Sequence, residues 1–279
     1  DTLAQLAVDC DAILTCWAKI TATVIRAAGD RCKVVSRMGI GLDNIDVDYC
    51  TRNNIPVTNV PDYCLQEVAE HTLACVLSLG RHINTYNLAS KAGNYDRNVN
   101  PPLRRLKGQT IGIIGLGNIG TRVSELANAL GFNVLGFRQD MTKKVADVQL
   151  VPLEQLLTES DFVTLHLPLT DTNHHLIDGA ALAMMKNSAS LINTARGPLV
   201  DHAALAIALE QGEIAGAALD VQDPEPPDLS TPPYNDPRVI VTPHAAFVSV
   251  ESLIELRRSC MQNTLDVLLH GQSANTVNL

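Results

Sequence analysis

Short β-branched apolar runs alternate with stretches of helical period along most of the chain. "DAILTC" at 11–16, "KVVSRM" at 33–38 and "IPVTNV" at 55–60 predict three strands, separated by residues able to form helices or turns. Residues 66–93 place apolar side chains at helical spacing up to Gly93, predicting one long helix or two consecutive ones. The polar stretch "NYDRNVNPPLRRLKG" at 94–108, with Pro101-Pro102 and no period, predicts a surface connection. The rhythm then restarts, with strands predicted at 110–114, 133–137, 162–166, 190–194, 216–220 and 239–242. Six such strands make a full doubly wound parallel sheet. A proline-rich loop fills 222–237, and a final helical pattern runs through 249–270 to Gly271.

A length of 279 residues with 46% hydrophobic content suits two domains better than one core. The formal charge of −9, without a sustained basic run, argues against nucleic acid or an anionic membrane as partner. An anionic substrate therefore needs local basic residues. The seven cysteines (Cys10, Cys16, Cys32, Cys50, Cys64, Cys75 and Cys260) form no CxxC pair and read as buried reduced thiols, hence a reducing cytoplasm and no metal. No apolar run approaches the roughly 20 residues of a membrane-spanning helix, and no signal-like segment precedes the fold. The chain opens at Asp1 rather than Met, so the expectation is that some N-terminal sequence is missing.

"TIGIIGLGNIGTRVSELANALG" joins a strand to Gly115-x-Gly117-x-x-Gly120 and then to a helix with Val123, Leu126, Ala127 and Leu130 at core spacing. Glycines at this spacing allow a tight turn, close approach of a pyrophosphate and close helix–sheet packing, and the helix N-terminus attracts phosphate. Asn118 and Ile119, between the last two glycines, join the cofactor set, as do His166 and Pro168 after the strand at 162–166; packing or capping is the alternative for His166. An acidic residue for the adenosine ribose is expected at the end of the next strand, but "NVLGFRQD" puts Arg138 there. A guanidinium pairs with a 2′-phosphate, so the cofactor expectation is NAD(P)(H) tilted toward NADP(H), with Asp140 serving NAD(H) as the alternative.

Arg196 follows "SLINTA", Glu225 follows "GAALDV" and His244 follows "VIVTP", at the ends of the last three predicted strands. Strand carboxyl ends converge in an open parallel sheet. Hydride transfer to a keto acid requires a carboxylate clamp, which Arg196 supplies with its planar fork, and a proton donor, which His244 supplies near neutral pH. Glu225 against the imidazole favours its protonated form.

"IGIIGLGNIG", "INTARGPLVD", "GAALDVQDPEP" and "VTPHAAF", together with "SRMGIGLDNIDV" and "VPDYCLQEVAEHTL", resemble the D-isomer-specific 2-hydroxyacid dehydrogenase family over nearly the whole chain. "NHHLI" and "TPHAAF" place it nearest the C-terminal-binding-protein-like subgroup, although Phe247 stands where that subgroup carries tryptophan. The resemblance implies an α/β fold of two Rossmann-like doubly wound parallel-sheet domains with a cleft between them, a homodimer, and a small-molecule 2-ketoacid or 2-hydroxyacid as substrate. The domains are expected at 1–88 plus 250–279 (catalytic, with an incomplete N-terminus) and 89–249 (dinucleotide-binding). It assigns Arg196, Glu225 and His244 as the catalytic arginine, glutamate and histidine, Asp220 as the aspartate near the nicotinamide, and Thr194 and Ala195 as lining that pocket. Met38-Gly39-Ile40-Gly41 resembles the family's substrate loop, whose backbone amides meet the acid, with Arg37 as a second anion contact.

His174-His175 has no third ligand at metal spacing, His71 reads as buried and hydrogen-bonded, and His82, His202 and His270 as superficial. "PPDLS" at 226–230 matches a corepressor-recognition peptide by chance, and Arg104, Arg105 and Lys107 read as a solvated linker face. Two alternatives stand beside the reductase: a dinucleotide-sensing corepressor-like scaffold, and a 3-phosphoglycerate dehydrogenase, which needs a further phosphate site to which Arg37 and Lys19 contribute.

Overall fold

The structure, a computed structural model, describes residues 2–98 and 102–279, so Asp1 and Pro101 of the polar connection lie outside the described residues. The chain divides into two units, Asp1–Cys64 with Val248–Leu279, and Leu65–Phe247.

In the first unit, β1 (Ala12–Thr15), β2 (Val34–Arg37) and β3 (Val57–Thr58) form a parallel sheet in the order β1-β2-β3. Ile13, Val35 and Val57 bury one face with Val24, Ile25 and Cys50 from the intervening helices. Helix Val250–His270 packs on β2, where the buried Ser36 hydroxyl meets Thr264 Oγ1 at 2.8 Å and Thr58 Oγ1 at 2.9 Å. The helix starts at a reciprocal Ser249–Ser252 cap and stops at Gly271, which adopts φ +79°.

The second unit carries β4 (Thr110–Ile114), β5 (Asn133–Phe137), β6 (Gln149–Leu150), β7 (Phe162–Leu165), β8 (Ser190–Asn193), β9 (Gly216–Leu219) and β10 (Val239–Val241). All pair in parallel in the order β10-β9-β8-β7-β4-β5-β6. The sheet thus has seven strands where the hydrophobic pattern predicts six. β6 is two residues long and begins on exposed Gln149, so no apolar run betrays it. The interior strands are apolar on both faces because helices cover both. Leu191 packs with Leu156, Leu165 and Leu205, whereas its neighbour Ile192 packs on the opposite face with Ile111, Ile113 and Val123.

Residues 66–93 form two helices, Leu65–Gly80 and Ile83–Lys91. His82 stands between them at φ +53°, half-buried rather than superficial, and burial followed by the Arg81 charge lowers its pKa. Ala69, Leu73, Cys75 and Val76 of the first helix share a core with Ile111, Val123 and Val134. Accordingly residues 65–88 group with the second unit, whereas the sequence reading set the boundary after residue 88. All seven cysteines are free thiols. Among the described residues, no helix is long and apolar enough to cross a membrane.

The strand order reverses between β4 and β7, and there the glycine loop lies. Gly115 takes φ +100° directly after β4, and a Cβ on it would lie 2.5 Å from the His166 carbonyl oxygen. A Cβ on Gly120 would run into the Gly115 carbonyl, so the first turn of helix Asn118–Ala129 can close on the strand only without a side chain there. Gly120→Ala is therefore expected to cost about 1–3 kcal/mol of overpacking, read as a lower urea midpoint with an unchanged slope.

Candidate active site

A buried carboxylate just past β9 organises the carboxyl end of the sheet. Asp220 is 2% exposed, and its Oδ1 accepts from Thr242 Oγ1 at 2.6 Å and the Ala245 N–H at 2.8 Å, while Oδ2 accepts from the Ala246 N–H at 3.0 Å. The Asp220 carbonyl also accepts the His244 N–H at 2.7 Å. Four contacts therefore fold the segment after β10 around one residue and hold His244 at φ +50°, a conformation that costs energy for a non-glycine residue. His71 Nε2 reaches the same knot, 3.1 Å from Thr242 Oγ1 and 3.7 Å from Asp220 Oδ1. The hydrogen bond is as expected, but the residue is half-buried rather than buried.

Arg196, Glu225 and His244 follow three adjacent strands, β8, β9 and β10. His244 Nδ1 lies 3.0 Å from Glu225 Oε2, and Glu225 Oε1 accepts the Gln222 N–H at 2.9 Å. Burial pushes the Glu225 carboxyl up, but the bonds from His244 and Gln222, with the charges of His244 and Arg196, outweigh it and leave its pKa below the ordinary value. Glu225 is thus an ionised neighbour for the imidazole. Phe247 sets its ring edge-on to His244, with centroids 6.1 Å apart at 81°.

Arg196 follows β8 through a turn knotted by Asn193, which is fully buried. Asn193 Nδ2 donates to the Arg196 carbonyl at 2.8 Å and its Oδ1 accepts the Ala195 N–H at 3.0 Å. Arg196 Nη1 donates to the Ala195 carbonyl at 2.7 Å. Gly197 lies so close to the Gln222 carbonyl that a Cβ there would clash with it, which lets the arginine turn and the glutamate segment abut.

The nucleotide side fits a dinucleotide. A Cβ on Gly117 would meet nothing within 4 Å, so the helix N-terminus, which has no side-chain cap, opens onto space with its first-turn N–H groups. Asn118 is exposed and Ile119 half-buried at that terminus. Next to it, half-buried His166 has a buried Nε2 with no partner among the described residues, and burial pushes its pKa down to about 3. Pro168 is exposed beyond it. Thr194 is buried, 2.9 Å from the Thr72 hydroxyl, with half-buried Ala195 beside it. Arg138 ends β5 with Nη1 donating to the Lys143 carbonyl at 3.3 Å, while Asp140 accepts from Thr142 N and Oγ1 at 3.1 and 2.5 Å. The arginine thus stands just past the end of β5, and the aspartate is engaged in its own turn.

In the first unit, the loop after β2 has its carbonyls occupied. The carbonyls of Met38 and Gly41 accept from Arg37 Nη1 and Nε, that of Gly39 from the Val60 N–H at 3.0 Å, and that of Ile40 from Asn59 Nδ2 at 2.8 Å. Among the described residues, the N–H groups of Gly39, Ile40 and Gly41 find no acceptor. Three consecutive N–H groups of this loop are thus left unpaired. Arg37, whose guanidinium also lies 5.8 Å over the Trp17 ring, braces this loop through two of its donors.

Several residues that shape the site went unnoticed in the sequence: Asn193, Gln222, Thr242 and the His202–Tyr234 pair. Asn193 had a signal, since an Asn at a strand end often bonds the backbone two residues on. His202, expected at the surface, is half-buried with Nδ1 2.6 Å from Tyr234 Oη. Nothing in periodicity joins residues 32 positions apart.

The family described as "D-isomer specific 2-hydroxyacid dehydrogenase, NAD binding domain" matches residues 73–246. The chain is 39% identical over 266 residues, 94% of its length, to a D-3-phosphoglycerate dehydrogenase of Methanocaldococcus jannaschii, covering 50% of that protein. It therefore spans about half the length of the curated phosphoglycerate dehydrogenases it matches. It is also 37% identical over 257 residues to a glyoxylate reductase of Thermofilum pendens, covering 90% of this chain and 76% of that protein. Among solved structures, a D-lactate dehydrogenase from Aquifex aeolicus, complexed with NAD and lactic acid, superposes with a TM-score of 0.89 at 30% identity, covering 99% of this chain and 89% of that one.

Asp220→Asn places an amide where two backbone N–H groups and a hydroxyl already donate. Losing charge-assisted bonds is expected to cost about 2–4 kcal/mol, measured by thermal unfolding, with the 242–246 amides losing protection in hydrogen exchange.

Proposed function

We propose, from the premise that the chain belongs to the D-isomer-specific 2-hydroxyacid dehydrogenase family, that it is an oxidoreductase transferring a hydride between NAD(P)(H) and a 2-ketoacid or D-2-hydroxyacid. The observation that carries this reading is the Glu225–His244 pair, 3.0 Å apart, with Arg196 on the neighbouring strand end. When bound, reduced nicotinamide supplies the hydride.

Arg196 grips the substrate carboxylate with its planar fork and draws negative charge toward the carbonyl oxygen. His244, steadied through Nδ1 by Glu225, gives its proton from Nε2 to that oxygen as charge builds there. In the opposite direction the same nitrogen takes the hydroxyl proton, and the Glu225 carboxylate stabilises the imidazolium that forms. We read the free N–H groups of Gly39, Ile40 and Gly41 as a receptor for a carboxylate, with Arg37 supporting the loop. The open helix N-terminus after Gly117 holds pyrophosphate, and Thr194, Ala195 and Asp220 border the nicotinamide.

Arg138 supports a preference for NADP(H), because its cation meets a 2′-phosphate while Asp140 is occupied by Thr142. A homodimer belongs to the same reading, supported by the family likeness and by exposed Ile83, Leu88 and Tyr95. The phosphoglycerate alternative ranks lower because two of the Arg37 donors already serve the Met38 and Gly41 carbonyls.

A spectrophotometric screen of NADH and NADPH against glyoxylate, pyruvate, hydroxypyruvate and bulkier ketoacids tests the proposal. Turnover is expected, with the higher kcat/KM for NADPH; its absence with every pair would favour a dinucleotide-sensing scaffold. Arg196→Lys, which keeps the charge and loses the fork, is expected to lower kcat/KM about a hundredfold.

A further inference from the structure

The segment that carries Glu225 belongs to no sheet ladder or helix. Gln222 fixes its start, with Nε2 donating to the Leu219 carbonyl at 2.9 Å and the Thr242 carbonyl at 3.1 Å. Farther along, Tyr234 folds back from the turn that begins at Thr231 and rests partly buried against the sheet core. Its hydroxyl lies 2.6 Å from His202 Nδ1 and 3.5 Å from the Asp223 carbonyl, two residues before Glu225. The two rings meet edge to face, with centroids 5.6 Å apart at 89°. His202 is the first residue of helix His202–Gln211, behind the Asp201 cap, so its own backbone is rigidly held.

We propose that His202 and Tyr234 are positioning residues that clamp the Asp223–Glu225 segment and thereby set the Glu225 carboxylate against His244. This inference rests on the catalytic reading given above. Burial, opposed by the charge and backbone of Asp223 and by Asp201 and reinforced by His175, lowers the His202 pKa, which favours a neutral ring with one N–H. His202 Nε2 is buried with no partner among the described residues. A buried lone pair is better tolerated than a buried orphan N–H, which puts the proton on Nδ1. Nδ1–H then donates to Tyr234 Oη, and the hydroxyl is released to donate to the Asp223 carbonyl. Both ring tautomers satisfy the short His202–Tyr234 contact, but only this one extends it to the segment bearing the glutamate. A metal role for these groups is not supported, because among the described residues no three His, Cys, Asp or Glu side chains are placed to hold an ion.

The test uses the full chain with Tyr234→Phe, His202→Leu and His202→Asn, the last keeping an N–H within reach of Tyr234. Two measurements are made: kcat and KM for ketoacid reduction against pH, and the carboxyl-carbon NMR titration of Glu225, identified by its disappearance in Glu225→Gln. Glu225 titrates below its ordinary value because His244 and Gln222 bind its ionised form. A loosened segment lets that pKa rise, so the carboxylate is lost at higher pH and the acid limb of the activity profile moves up with it. Tyr234→Phe and His202→Leu are expected to lower kcat about tenfold with KM nearly unchanged, and to raise the Glu225 titration midpoint by about one pH unit. His202→Asn is expected to restore most of both. A Glu225 titration and a kcat that Tyr234→Phe leaves unchanged overturn the clamp, as does a kcat loss without any shift in that titration. If the unmodified protein turns over no ketoacid, the catalytic reading fails by itself, and the Glu225 titration in the variants still decides whether the clamp exists.

Discussion

The carboxyl end of this sheet depends on one buried carboxylate, to which no chemistry is assigned. Asp220 is buried and gathers a hydroxyl and two backbone N–H groups from the 242–246 segment, while its own carbonyl takes a third N–H. Burying a charge without partners is costly, so the loop and the carboxylate enforce each other. The result is that His244 occupies an unfavourable backbone conformation with no freedom to leave it. Its ring direction is then decided by what stands opposite, which is Glu225.

The same logic recurs at the neighbouring strand ends. Asn193 ties the arginine turn, Gln222 ties the glutamate segment to β9 and to the segment after β10, and Gly197 lets the two turns touch. Side-chain-to-backbone bonds thus replace ladder bonds where the strands stop. Such bonds need particular residues at particular positions, whereas the strands need only apolar side chains on both faces. The first unit uses the device in reverse: Arg37 and Asn59 occupy the carbonyls of the loop after β2 and leave the N–H groups of Gly39, Ile40 and Gly41 unpaired among the described residues.

Much of this was legible from the order of residues alone. The β4 turn and its helix were readable because three glycines at fixed spacing leave few other structures, and Arg196, Glu225 and His244 were readable because each ends a predicted strand. What escaped shares a physical cause. β6 has no apolar run to announce it, the grouping of the first long helix follows from its contacts with Ile111 and Val123, and Tyr234 meets His202 across 32 positions. Arg37 is the instructive case: its position beside the loop is readable, but only the fold turns its donors toward backbone carbonyls.

The edge strand that the sequence conceals has its own consequence. Open sheets end in rows of unsatisfied backbone groups onto which another chain can zip. Here one rim is β6, two residues long and starting on an exposed glutamine, and the other is β10, three residues long. Neither offers a template long enough for an incoming strand to register. The feature least visible in the sequence thus guards this sheet against edge-to-edge self-association.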